Sequence, residues 1–298
     1  MELQIVEFFK SLSCKFCDVL FSFTNILGED LFFYLVFFAL YWAYKKEFAF
    51  KYALVYFSSC LLNIGFKSVV RRVRPIGATA SGYSFPSGHA QSFSTVATGL
   101  LYESNKKNFL TKRWQRIEFF LECLIGALLV GIGRMYWGQH YLTDVVAGII
   151  IGFVFTIFIT YIIDIVLSKI KVSLKKVFLV IAPILVVGYI VIATTNLIKD
   201  IDALAKVYRA IGISLSVIVA YFIDKKWLQY STEDTMKNRL SKIIAGSAVL
   251  MMIYSLFLRD LAVDVLYPVY YFMLGIVALV ILPWIFKTIK NPATEAKD

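Results

Sequence analysis

LTDVVAGIIIGFVFTIFITYIIDIVL, residues 142–167, decides what kind of fold this chain adopts. The stretch is longer than the ~20 apolar residues that cross a bilayer as a helix. It lacks the alternation of a barrel strand with one lipid face and one wet face. Backbone groups in lipid must be satisfied within their own segment, so the run reads as a transmembrane helix. Comparable runs fall at about 30–44, 48–70, 88–103, 117–134, 174–195, 205–223, 241–258 and 267–286. With 59% hydrophobic residues, 17% charged residues and a mean hydropathy of +0.73 over 298 positions, the chain lies outside the range of soluble domains. The fold class expected is all-α, a polytopic transmembrane helix bundle of about nine spans.

Ahead of the first run, residues 1–27 mix Leu, Ile, Phe and Val with Glu7, Lys10, Lys15 and Asp18. That pattern predicts an amphipathic helix in the membrane interface or a short first span. MELQIVEFFK carries Glu2 and Glu7 in place of a basic leader, so no cleavable signal is expected. Of the 31 Lys and Arg residues, 20 fall in one alternating set of connections and 11 in the other. The richer set is expected on the cytoplasmic face, with the C-terminus inside and the N-terminus and both histidines outside. The net charge of +11 is thereby spread over short loops, as topology requires, and no nucleic-acid partner is expected. Cys14-Lys-Phe-Cys17 is a CxxC without a second ligand pair, so it reads as small residues on a helix rather than a zinc or redox site.

Only two histidines occur, His89 and His140, each beside basic and glycine-rich sequence. In FKSVVRRVRP (66–75) a helix ending at Pro75 would set Lys67, Arg71 and Arg74 on one face as an anion site. Snorkelling toward lipid head groups is the other reading, favoured for Arg72 and open for Arg71. In YSFPSGHAQS (83–92), Pro86 and Gly88 form a tight turn that opens a helix near His89, whose free N–H groups suit an oxyanion. Ser87 sits at the N-cap, where its hydroxyl either caps the helix or donates to an anion. In GRMYWGQHYLTD (133–144), Arg134 is a planar phosphate donor. Asp144, four residues after His140, either orients the imidazole or serves as a helix N-terminal charge.

Lys67 with Arg74-Pro75, then Pro86-Ser87-Gly88-His89, then Arg134, His140 and Asp144 together resemble the three-part signature of the type 2 phosphatidic acid phosphatase (PAP2) superfamily. The resemblance covers residues 67–144 and implies a PAP2-like membrane core at 28–168, with additional transmembrane helices at 169–298. It implies His140 as the nucleophile that becomes phosphohistidine, oriented by Asp144, and His89 as the general acid. Lys67, Arg74, Ser87, Gly88 and Arg134 would bind the phosphoryl oxygens, with Arg71 as an additional contact that would favour diphosphates. Neither metal nor other cofactor is implied. Where the family usually has a serine before the third-motif arginine, this chain has Gly133, so one phosphate donor is expected to be lost.

The function implied is an integral membrane phosphatase acting on the terminal phosphate of a lipid phosphate or polyprenyl diphosphate. Undecaprenyl diphosphate, phosphatidylglycerol phosphate and phosphatidic acid are the substrate types considered. The site would open on the extracytoplasmic face of the cell membrane, with the bilayer as the only partner read from the sequence and no oligomeric state implied. Alternatives are a phosphatase for a soluble phosphate ester or sphingoid phosphate, a lipid phosphotransferase, and a non-catalytic lipid-phosphate transporter or binder. Beyond residue 168 no motif is recognised. Tyr267, Tyr270 and Tyr271 suit an interfacial belt, and Arg259, Asp260 and Asp264 read as local ion pairing or a substrate gate.

Overall fold

A computed structural model describes residues 2–108, 110–195, 197–258 and 261–289; Arg259 and Asp260 lie outside them. Among the described residues twelve α-helices are formed: α1 Glu2–Ser11, α2 Lys15–Leu27, α3 Asp30–Ala43, α4 Lys46–Val70, α5 Gly88–Lys106, α6 Arg113–Tyr136, α7 Leu142–Asp164, α8 Leu174–Thr195, α9 Ile201–Ile223, α10 Met236–Ile253, α11 Tyr267–Ile276 and α12 Leu282–Ile289. Each of the nine apolar runs lies on a helix. By length and composition, six of the described helices cross a membrane unaided, and α2 with α3, bent by 56°, makes a seventh if the pair is one broken span. The chain is therefore a multi-pass membrane protein. α5 and α6 are absent from that set, since α5 opens on polar residues and α6 begins with Arg113, Gln115, Arg116 and Glu118.

The chain divides into two compact units, one of residues 1–34 and 51–171, the other of 35–50 and 172–298. In the first, α5 and α7 approach so closely that side chains are excluded between them. A Cβ on Gly148 would stand 2.6 Å from the Ser87 carbonyl oxygen, and one on Gly152 2.6 Å from that of Gln91. Small residues four apart are what let helix backbones meet in lipid, where apolar burial alone gives no drive to associate. Polar side chains tie α5 to α4: Gln91 donates to the Ser59 carbonyl and accepts from Asn63, each at 2.8 Å. Phe33 stacks on Tyr56, whose hydroxyl donates to Asp30 at 2.9 Å. α1 and α2 pack along α6, and α1 also reaches α7, so the charged N-terminal segment is part of this unit.

In the second unit Trp42 donates to the Ala278 carbonyl at 2.7 Å, and its ring fills the space beside Gly246. Lys46 pairs with Asp224 at 2.5 Å. α9 and α11 cross at Gly212 and Gly275, where added Cβ atoms would strike the Pro268 carbonyl and Ser216. Of the tyrosines expected in an interfacial belt, Tyr267 and Tyr271 are buried in this packing and only Tyr270 is exposed.

Candidate active site

α4 ends at Val70, not at Pro75 as the sequence suggested. Arg71 takes a left-handed conformation, φ 51°, the backbone state that terminates helices at the first residue beyond them. Its N–H still bonds back to the Lys67 carbonyl, and its Nε donates to the Ser68 carbonyl at 2.9 Å. Arg71 is exposed against its own helix end rather than aimed at the histidines. The next residues lie in a loop, so Arg72 and Arg74 are placed by that loop and not by a shared helical face.

Arg74 is built in firmly. Its Nε donates to the carbonyls of Ser81 and Gly82 at 2.9 and 3.2 Å, and one terminal nitrogen reaches the Gln139 carbonyl at 3.0 Å. That same nitrogen lies 3.2 Å from Nε2 of His140. Lys67 donates to the Tyr83 carbonyl at 2.5 Å and is close enough to His140 for its charge to act there.

His140 precedes α7 by two residues and is 2% exposed. Its Nδ1 stands 3.7 Å from an Asp144 carboxylate oxygen, within about 1 Å of hydrogen-bond range, and has no other partner. Asp144 both caps the helix and faces the imidazole. As the third residue of α7 it accepts the Tyr141 N–H at 2.9 Å, which caps the helix, while the same oxygen faces the imidazole. Burial pushes the His140 pKa well below the ordinary histidine value, and the charges of Arg134, Lys67 and Arg74, with His89, push it further. The neutral form of the ring is thereby favoured, and Nε2 faces the Arg74 guanidinium.

Ser87 is the N-cap of α5, but its hydroxyl makes no capping bond. The side chain is fully buried and its oxygen unpartnered, whereas its N–H donates to the Asp144 carbonyl at 2.9 Å. A buried hydroxyl without a partner costs about 1–3 kcal/mol unless something fills the place. The Ser87 hydroxyl thus does not cap α5 in this structure. His89, in the first turn of α5, lies 2.9 Å from a Glu29 carboxylate oxygen, a contact that fixes its ring.

Arg134 sits two residues from the end of α6, 8% exposed, donating to the Asn25 side chain while its Nε has no partner. Position 133 does not face a phosphate site in the way the lost serine implied. A Cβ there would stand 2.8 Å from Thr24 Oγ1 and 3.4 Å from the Phe21 ring, so Gly133 is what lets α2 close against α6.

The sequence reading missed Arg72, Glu2 and Glu29. Arg72 donates to Asp144 at 2.9 Å and to the Thr143 hydroxyl at 2.5 Å, pairs with Glu2 of α1, and lies 4.2 Å over the Tyr141 ring. Thr143 in turn donates to Glu2 at 2.6 Å, and that bond, with Arg72, holds the Glu2 carboxyl below the usual carboxylate range. Arg72 is therefore no snorkelling residue. The only signal for it in the sequence is a third arginine in a loop that already carries two.

Residues 48–167 match the family model described as the PAP2 superfamily, and residues 208–294 match one described as the PAP2 superfamily phosphatase transmembrane extension. Phosphatidylglycerophosphatase B of Bacillus subtilis is 35% identical over 102 residues, 33% of this chain and 50% of that protein. An undecaprenyl-diphosphatase of Sulfolobus acidocaldarius is 41% identical over 70 residues, 24% of this chain and 29% of that protein. The chain thus spans half or less of the length of these curated relatives. Among solved structures, the transmembrane PAP2-type phosphatidylglycerolphosphate phosphatase from Bacillus subtilis aligns with a TM-score of 0.48 at 26% identity, over 55% of this chain and 84% of that one. Aquifex aeolicus LpxE aligns with a TM-score of 0.44 at 24% identity, over 53% and 93%.

Proposed function

The chain belongs to the PAP2 superfamily, and from that premise we propose that it is a membrane phosphatase that removes the terminal phosphate of a lipid phosphate or polyprenyl diphosphate. One observation carries the reading: a buried, neutral histidine presents Nε2 3.2 Å from the Arg74 guanidinium, beside an unpartnered Ser87 hydroxyl and an unpartnered Arg134 Nε. Donors without acceptors around a nucleophile describe a phosphoryl pocket.

The residues then act as follows. Lys67, Arg74, Arg134, the Ser87 hydroxyl and the N–H groups opening α5 at Gly88 hold the phosphoryl oxygens. Phosphoryl transfer is mainly positioning and charge neutralisation, and fixed cations meet both needs without a metal. The His140 Nε2 lone pair attacks phosphorus, the bond to the leaving oxygen breaks, and His89 gives that oxygen its proton. Asp144 draws to Nδ1 and stabilises the charge that develops on the ring. Water then attacks the phosphohistidine, His89 takes the proton back, and inorganic phosphate leaves with Nε2 restored.

The relatives named for phosphatidylglycerophosphate and undecaprenyl diphosphate favour a membrane lipid over a soluble ester. The charge bias of the loops supports a site on the extracytoplasmic face, a cytoplasmic C-terminus, and α5 and α6 as spans completed by their neighbours. Phosphate release from the purified full chain, with EDTA present, is the test. The panel is undecaprenyl diphosphate, phosphatidylglycerol phosphate, phosphatidic acid, sphingosine phosphate and glucose 6-phosphate. Lipid-dependent release that falls by about a thousandfold or more in His140→Ala is expected. Release that survives that substitution, or silence on every compound, would overturn the phosphatase reading.

A further inference from the structure

Cys14 and Cys17 sit where α2 begins. Cys14 is the N-cap of α2, in extended conformation at φ −154° and ψ 156°, and its sulfur accepts the Cys17 N–H at 3.2 Å. The Cys17 thiol lies 2.9 Å from that sulfur. Cys14 is exposed and Cys17 half-exposed. A thiolate at a helix N-terminus is stabilised by the free N–H groups and by the helix dipole. In agreement, the Cys14 thiol is held below the ordinary thiol range, first by the bond from the Cys17 thiol.

We propose that Cys14 and Cys17 form a redox-active dithiol that exchanges with glutathione-type or protein disulfides. The Cys14 thiolate attacks one sulfur of the disulfide, forms a mixed disulfide and releases one thiolate. The Cys17 thiol then gives up its proton, its sulfur attacks that of Cys14, and the second thiol of the oxidant leaves. Two thiols of the chain are oxidised to one disulfide, and one external disulfide is reduced to two thiols.

The turn that carries the pair also grips the candidate active site. Asp18 donates its N–H to the Cys14 carbonyl at 2.9 Å and accepts the Tyr136 hydroxyl at 2.5 Å. Tyr136 is buried, stands two residues after Arg134, and packs on Phe21 at 4.6 Å between ring centroids. Further along α2, Asn25 holds Arg134 itself. The redox state of the pair is thereby set within one helix of a phosphate-binding arginine.

The test uses the full chain in detergent, equilibrated over a ladder of glutathione to glutathione disulfide ratios, acid-quenched, alkylated and mapped by peptide mass spectrometry. Half-conversion of Cys14 and Cys17 to an intramolecular disulfide within the ladder is expected, with Cys60 and Cys123 unchanged. Cys17→Ser should stop the reaction as a stable glutathione adduct on Cys14. Cys14→Ser keeps an N-cap that suits the helix and should leave Cys17 unmodified. A pair that stays thiol at the most oxidising ratio, one that stays disulfide at the most reducing, or a Cys17→Ser chain with no adduct would each overturn the proposal.

Discussion

Asp144 is fully buried and faces three partners at once: the Tyr141 N–H and the Arg72 guanidinium at 2.9 Å, and the His140 ring at 3.7 Å. Arg72 bonds that carboxylate, so the role expected of Arg72 is that of a positioning residue keeping Asp144 in register behind His140. Replacing it with Ala should lower kcat by about 10–100-fold, the range seen when partners behind functional groups are removed, with KM changed less. Arg72→Lys should restore part of the loss, and adding Arg72→Ala to Asp144→Ala should cost nothing more. A fall confined to KM, or full additivity, would remove Arg72 from this role. The histidine itself predicts a pH dependence. Unfolded His140 binds a proton below about 6.5, whereas the folded ring resists it, so both activity and His140's contribution to stability are lost only as pH falls below that value. An acid limb of kcat/KM well under 6.5 is expected; one at or above 6.5 would mean that the ring is not held neutral. Lys67, Arg74, Ser87, His89, Arg134, His140 and Asp144 were singled out in the sequence through the three-part resemblance, each part of which is a short local motif. Arg72, Glu2 and Glu29 were not, because their partners lie 60 or more residues away.

The helices were legible where apolar length decides them and illegible where the backbone turns. Nine hydrophobic runs became helices, but the end of α4 depends on the left-handed state of Arg71, which no period in the sequence announces. Glycines set the helix spacing that matters for the site. Because a Cβ on Gly148 would press on the Ser87 carbonyl, Gly148→Ala must shift the turn that opens α5. Overpacking of this kind costs about 1–3 kcal/mol, and phosphate release should fall more steeply than the thermal midpoint in detergent. An unchanged rate would show that the α5–α7 approach does not position Ser87. Gly133→Ser, which would bring this chain closer to the family pattern, should impair the enzyme, since its side chain meets Thr24 and Phe21 of α2. A gain in rate would restore the lost-donor reading.

At the scale of the whole chain, composition alone announced a multi-pass helical membrane protein, while the number of crossings and the division into two units are set by packing that composition does not record. α5 falls outside the set of unaided spans because of the polar residues along it, and α6 because of the charged residues at the end away from Arg134. The orientation proposed from loop charge predicts that a cysteine placed at Ile76 is labelled by an impermeant maleimide in intact cells, and one placed at Ser231 only after permeabilisation, in a chain whose native cysteines have been replaced. The reverse pattern would put the site on the cytoplasmic face. The central claim, a histidine that carries the phosphoryl group, is tested most directly by rapid acid-free quenching of the chain during turnover of a lipid substrate labelled in its terminal phosphate. An alkali-stable, acid-labile label mapped to the peptide holding His140, and absent in His140→Ala, is the expected result. Steady phosphate release with no label on His140 at any quench time, and undiminished release by His140→Ala, would contradict it.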